Sequence, residues 1–173
     1  MTTTYTLHHL NQAEEKQFIE ILAGIFEHSP WIAQQVYALR PFDSLESLHA
    51  HMFEIVRQAS REKRLELICK HPELAGSEAA SGQLTTESKD EQASAGLDHC
   101  SPEELSRLKQ LNRAYREKFG FPFVIAVKRL TRDDILRAMV SRLSNDSSEE
   151  FGRSINEIGK IAWLRLSQLI TEA

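Results

Sequence analysis

The sequence predicts an all-α fold. Apolar residues recur at three- and four-residue intervals along most of the chain, and capping sequences with proline or glycine punctuation separate these runs. Only seven glycines and five prolines occur among 173 residues, too few for a turn-rich sandwich or barrel. Apolar residues at 41% and charged residues at 27% match an ordinary globular chain. At this length one core can bury roughly 70% of the surface the unfolded chain exposes. A single domain over residues 1–173, held without a disulfide or metal staple, is therefore expected.

Asn11, with Glu14 at the third position, reads as a capping box. It opens a helix carrying Phe18, Leu22, Ile25 and Phe26, which ends before Pro30 because the residue preceding proline is pushed out of the helical region. A second helix runs from Trp31 to before Pro41. Asp43 with Glu46 opens a third, whose inner stripe is Leu45, Leu48, Met52 and Val56. A fourth spans about Ser60 to Cys69, and Pro72 punctuates its end. Residues 74–87 hold two glycines and many small side chains without periodicity, which is a loop longer than most connections. Such a loop is either functional or disordered. Ser88 with Glu91 reads as a capping box entering a short helix. Ser101 with Glu104 forms another, with Pro102 at the favoured first position, and this helix runs to about Phe119 before Gly120 stops it. The continuous apolar run Phe121–Val127 follows. Thr131 with Asp134 starts the next helix, and Ser147 onward starts the last. The total is about eight helices, with no internal repeat and no strand pair.

Composition narrows the function classes. A net charge of −4 argues against a general nucleic-acid binder. Residues 66–106 carry nine acidic and two basic side chains, and residues 107–142 carry ten basic and three acidic. The basic block is either a nucleic-acid surface or a solvated face paired with its acidic neighbour. No stretch approaches the ~18 apolar residues of a membrane span, and the first fifteen residues lack the basic start and apolar centre of a secretory signal. The last three residues are not an S-K-L-type address. Cys69 and Cys100 form no ligand spacing and fit a reducing compartment. A soluble, cytoplasmic protein is expected. There is no HExxH, CxxC, phosphate-binding glycine loop or GxSxG, so nothing calls for a metal, a nucleotide or a serine nucleophile. His49 and His51, two apart on a helix, face different directions, and His8, His9, His28 and His99 lack a partner at ligand spacing.

Four features carry possible chemistry. The run Phe121–Val127 must be buried, and its proline interrupts any helix, so its amides and carbonyls need either protein partners or a ligand. Arg165 interrupts the last helix's stripe of Phe151, Ile155, Ile158, Ala162 and Leu169. A core-facing arginine keeps its charge and needs an anion, either a buried carboxylate or a substrate carboxylate gripped by its two-pronged guanidinium. His71 stands beside the fixed backbone of Pro72, and an imidazole is the side chain whose ordinary range suits acid–base work, although a histidine at a helix end also partners the helix dipole. Glu91 is explained by reciprocal capping with Ser88.

Four segments occur in order: Phe26-Glu-His-Ser-Pro-Trp31, His71-Pro-Glu-Leu-Ala-Gly76, Leu84-Thr-Thr-Glu-Ser-Lys-Asp-Glu-Gln-Ala-Ser-Ala-Gly-Leu-Asp98 and Leu111-Asn-Arg-Ala-Tyr-Arg-Glu-Lys-Phe-Gly-Phe-Pro-Phe-Val-Ile125. In these the chain resembles the 2-oxo-4-hydroxy-4-carboxy-5-ureidoimidazoline (OHCU) decarboxylase family of urate degradation, over about residues 7–170. The resemblance implies an all-helical homodimeric enzyme without a metal or cofactor that converts OHCU, a small ureidoimidazoline, into (S)-allantoin and carbon dioxide. By the same resemblance, His71 is the acid–base and Glu91 and Arg165 complete the catalytic set. Substrate contacts fall on Pro72, Ser88, Lys89, Asp90, Glu91 and Gln92, and on the backbone of Phe123, Val124, Ile125, Ala126 and Val127. Many relatives continue with Lys-Gly after the apolar run where this chain has Lys128-Arg129, so a local turn difference is expected there. Neither nucleic acid nor membrane is an expected partner.

The implied chemistry suits these residues. Losing carbon dioxide leaves an electron pair on a carbon bearing a hydroxyl, and the adjacent ring C=N accepts it, so no separate electron sink is needed. What remains is to deprotonate or polarise the hydroxyl, fix the ring and deliver a proton to one face. His71 suits the proton work, Glu91 the imidazole or the ureido N–H groups, Arg165 an anionic group, and the backbone of 123–127 the ring edge. The alternative from another class is a non-catalytic helical module that binds ureides or mediates assembly.

Overall fold

Ten α-helices, two 3-10 turns and one two-residue strand pair make up the described residues, 3–173, of the computed structural model. The all-α expectation holds, and the helices beyond eight are short ones that leave little periodic signal. Met1 and Thr2, which begin the stretch read above for a secretory signal, lie outside the described residues. The chain divides into two compact units: residues up to Lys70 together with Gly159–Ala173, and His71–Ile158.

In the first unit, Thr6 rather than Asn11 supplies the first cap. Its hydroxyl accepts the His9 N–H at 3.0 Å and opens α1 (Leu7–Gln12). Asn11 lies inside that helix, and its amide makes a two-way bridge to the Phe42 backbone, donating at 2.9 Å and accepting at 2.8 Å. The expected capping box fails because a long-range partner uses both halves of the amide. Helix α2 (Glu15–Leu22) buries Phe18, Ile21 and Leu22 and stops six residues short of His28. Ile25 and Phe26 remain buried in the irregular turn that follows. Helix α3 (Trp31–Val36) continues into a 3-10 turn, Tyr37–Leu39. Arg40 then lays its guanidinium 3.7 Å over the Tyr37 ring and donates to the carbonyls of Asn11 and Ala13, where α1 ends.

Ser44, one residue after the expected Asp43, caps α4 (Leu45–Gln58) by accepting the Ser47 N–H at 3.0 Å. Leu45, Leu48, Met52 and Val56 are buried, as their spacing predicts. Ser60 caps α5 (Arg61–Lys70) through the Lys63 N–H. The end of the last helix, α10 (Ser147–Leu169), completes this unit. A Cβ at Gly159 would come within 2.8 Å of the Phe53 ring, so only glycine admits this approach to α4. The strands Tyr5–Thr6 and Ile170–Thr171 pair in parallel, Tyr5 opposite Ile170. Two-residue strands are too short to show alternation, which is why the sequence predicted none.

The second unit contains α6 (Ser77–Ala80), α7 (Thr86–Ser94), a 3-10 turn at Leu97–His99, α8 (Pro102–Phe119), α9 (Arg132–Arg142) and the start of α10. Helix α6 shortens the loop expected over 74–87. The Ser101–Glu104 and Thr131–Asp134 capping boxes are both complete. Gly120 ends α8 at φ 81°, a left-handed conformation that glycine adopts without penalty. Two ion pairs join the acidic block to the basic one: Arg132 to Glu104 at 2.8 Å, and Arg116 to Glu73. Paired neighbours therefore account for that part of the charge asymmetry. None of the described helices is long and apolar enough to cross a membrane.

Candidate active site

His71 is the first residue after α5 and is only 7% exposed. Its loop, residues 71–76, turns so sharply that the Gly76 N–H reaches the Glu73 carbonyl at 3.3 Å. A Cβ on Gly76 would lie 2.9 Å from that of Glu73, so the turn needs glycine for room rather than for its φ angle. Ala75 takes φ 51°, a left-handed value costly for any residue with a side chain. Side chains from two helices hold this conformation. Gln92 of α7 accepts the Ala75 N–H at 3.0 Å and faces the Glu73 carbonyl at 3.5 Å. Asn112 of α8 donates to the Leu74 carbonyl at 3.0 Å, and Arg116 pairs with Glu73.

The start of α7 corrects the expected Ser88–Glu91 cap. Thr85 is the cap, and its hydroxyl accepts the Ser88 N–H at 3.2 Å. Thr85 wins because it precedes the first helical turn, whereas Ser88 already lies at its third position. Glu91 thus stands a turn beyond the cap, half-buried, and is not explained by reciprocal capping. Ser88 and Gln92, four apart on one face, are both buried. Lys89 and Asp90 point to the exposed side. Gln92, expected to contact substrate, has its amide engaged with the loop that carries His71.

The run Phe121–Val127 is irregular, and all but its half-buried Pro122 and Ala126 are buried. Protein groups satisfy part of its backbone: Arg142 donates to the Val124 carbonyl at 2.7 Å, and the Ala126 N–H approaches the Glu157 carboxylate at 3.4 Å. Arg142 is itself fixed by Glu150 at 2.8 Å, and its guanidinium lies 4.3 Å from the Phe123 ring centre. Tyr115 donates to Glu150 at 2.6 Å, and Asn145 does so at 2.9 Å. Burial first, and the Glu150 hydrogen bond second, push the Tyr115 hydroxyl well above its ordinary pKa, keeping it a donor. The Tyr115 ring also meets Phe119, Phe121 and Phe123 at 4.5–6.0 Å between centroids. Arg129, in the turn beyond, holds φ 67°, a left-handed value at which glycine would be unstrained.

Arg165 belongs to the first unit, where it is 5% exposed. It donates to Glu27 at 2.9 Å and to the Gly24 carbonyl at 2.9 Å, and Glu27 is 2% exposed. Of the two alternatives left open by the sequence, the buried carboxylate is the one present. Glu27 lies in the Phe26–Trp31 motif, but no charge pattern in the sequence marked it as the partner. Asn112 and Arg142 escaped notice too, although both carried a legible signal. Each sits on a buried stripe, Leu108–Leu111–Tyr115 in one case and Ile135–Met139 in the other, as Arg165 does on its own. Among the described residues no group of three or more His, Cys, Asp or Glu side chains is arranged to hold a metal.

A model of the OHCU decarboxylase family matches residues 11–167. The chain is 40% identical over 167 residues to a 2-oxo-4-hydroxy-4-carboxy-5-ureidoimidazoline decarboxylase of Halalkalicoccus jeotgali, covering 96% of this chain and 93% of that one. It is 42% identical to the uric acid degradation bifunctional protein PucL of Bacillus subtilis, over 97% of this chain but 33% of that longer one. Among solved structures, an (S)-allantoin synthase superposes with a TM-score of 0.77 at 30% identity, over 95% of this chain and 54% of that one. Together the fold and these matches define a helical carboxy-lyase. The chain belongs to the OHCU decarboxylase family.

Proposed function

We propose that the protein decarboxylates OHCU to (S)-allantoin and carbon dioxide in urate breakdown, with residues 1–173 acting as one OHCU decarboxylase-like domain. Family membership supports the reaction, and the observation that carries the site is the buried His71 on a loop held from two helices. His71 takes the proton of the substrate hydroxyl as the carbon–carboxylate bond breaks. The released electron pair forms a carbon–carbon double bond as the ring C=N electrons move onto nitrogen, which takes a proton from solvent, giving an enolate. Return of the His71 proton to the ureido-bearing carbon from one side, with collapse of the enolate to a carbonyl, gives a single enantiomer. Glu91 orients the imidazole or the ureido N–H groups. Pro72, Ser88 and Gln92, with the exposed Lys89 and Asp90 at its edge, shape the substrate side of α7. The backbone of Phe123–Val127, stiffened through Arg142, supplies fixed groups against the ring. Arg165 enters as a cation already balanced by Glu27. The reading includes a cytoplasmic homodimer that needs no metal or organic cofactor.

The test is polarimetry on freshly generated urate-oxidation product. Addition of the protein should produce optical activity from (S)-allantoin much faster than the spontaneous, racemic reaction. Decay at the spontaneous rate with no rotation would overturn the assignment.

A further inference from the structure

The loop carrying His71 is strained where it turns, yet it is held at three consecutive residues by side chains outside it. Ala75 sits at φ 51°. Gln92 contacts the Ala75 amide and the Glu73 carbonyl, Asn112 donates to the Leu74 carbonyl, and Arg116 pairs with the Glu73 carboxylate. Asn112 is 5% exposed and interrupts the apolar stripe of α8. A buried amide on such a stripe costs desolvation that packing alone does not return, so the sequence keeps it there for a bond. That bond goes to the loop, 38 residues away in sequence. Strained backbone persists only where surroundings over-determine it, and here it adjoins the acid–base residue.

We propose that Asn112 is a positioning residue for the decarboxylation. By gripping the Leu74 carbonyl, and with Gln92 gripping the residues on either side, it holds the loop in the one conformation that places the His71 imidazole for proton transfer. This rests on the reading of His71 as the acid–base. Gln92 acts by the same route, through the loop rather than chiefly through substrate. Proton transfer needs donor and acceptor within hydrogen-bond reach. A misplacement of about 1 Å can cost about 10²-fold in rate.

Asn112→Asp keeps the side-chain shape but puts an acceptor where the Leu74 carbonyl needs a donor. The expected result is a folded protein in which amide hydrogen exchange of residues 73–76 accelerates and kcat falls by about 10²-fold, while KM changes far less. The pH–rate limb belonging to His71 should move as well. Arg113→Gln is the control, because it removes only the exposed Arg113–Glu117 pair from the same helix. It should leave kcat, the pH profile and loop exchange unchanged. If Asn112→Asp does not fold, Gln92→Met carries the test, since it keeps length and volume but loses both loop contacts. Wild-type kcat despite faster loop exchange, or lost kcat without it, would overturn the inference. Failure of the functional reading itself looks different: the unsubstituted protein would then generate no (S)-allantoin above the spontaneous rate.

Discussion

At the residue scale two of the three candidate catalytic side chains, His71 and Arg165, read differently once their surroundings are known. His71 is a buried imidazole on a held loop, so His71→Asn should leave helicity intact and lower turnover by about 10²–10⁴-fold, the usual worth of a general acid–base. Circular dichroism with an (S)-allantoin assay checks this, and wild-type turnover in a folded variant would remove His71 from the mechanism. Arg165 is half of a buried ion pair. Removing it strands the Glu27 carboxylate, and Arg165→Met should cost about 3–5 kcal/mol of stability. The double variant Arg165→Met, Glu27→Leu should recover much of that loss, because no unpaired charge remains. Denaturant melts decide the structural part. Full specific activity in the folded fraction of Arg165→Met would show that its charge takes no part in catalysis. Arg129 presents the opposite situation, an ordinary side chain at φ 67° on the exposed surface. Arg129→Gly should stabilise by about 1 kcal/mol, the scale of a left-handed penalty relieved, and a melt that falls instead would show that the side chain contributes more than its backbone strain costs.

At the scale of elements, helix ends account for most of what the sequence predicted well. The Ser101–Glu104 and Thr131–Asp134 boxes are complete because each needs only residues three apart. The same local geometry sets a pH dependence. The Ser101 N–H holds the Glu104 carboxyl below its usual range, and the Thr131 backbone and hydroxyl do the same for Asp134. A carboxyl whose folded pKa is lowered contributes stability above its unfolded value, about 4.3 for Glu and 3.9 for Asp, and loses it as pH falls through the folded value. Unfolding free energy should therefore decline below about pH 4. In Glu104→Gln with Asp134→Asn that decline should be shallower in melts from pH 5 to 2, and an unchanged slope would show that these caps do not govern it. Two expected caps went astray for different reasons. Asn11 bridges to Phe42, a partner 31 residues away that no three-residue spacing shows, whereas Thr85 is a local competitor that caps through the Ser88 N–H itself.

At the scale of the whole molecule, the reaction supplies its own electron sink in the ring C=N. Turnover of the purified protein should survive exhaustive chelation and dialysis, and loss restored by one particular metal would overturn a metal-free mechanism. The homodimer reading is tested by sedimentation equilibrium at micromolar concentration, where about twice the mass of one chain is expected. A monomer with full activity would separate catalysis from assembly.

The all-α class, the two capping boxes, the irregular apolar run and the motifs that carry family membership are all legible in the order of residues. All of these rest on short-range spacing or on unbroken stretches of residue type. Packing between distant segments is what pairs Glu27 with Arg165, sets Arg142, fixed by Glu150, on the Val124 carbonyl, and lets Asn112 and Gln92 grip the His71 loop. A buried polar group announces in sequence that it needs a partner. Which partner it finds is set by packing between segments tens of residues apart, and no local periodicity records that choice.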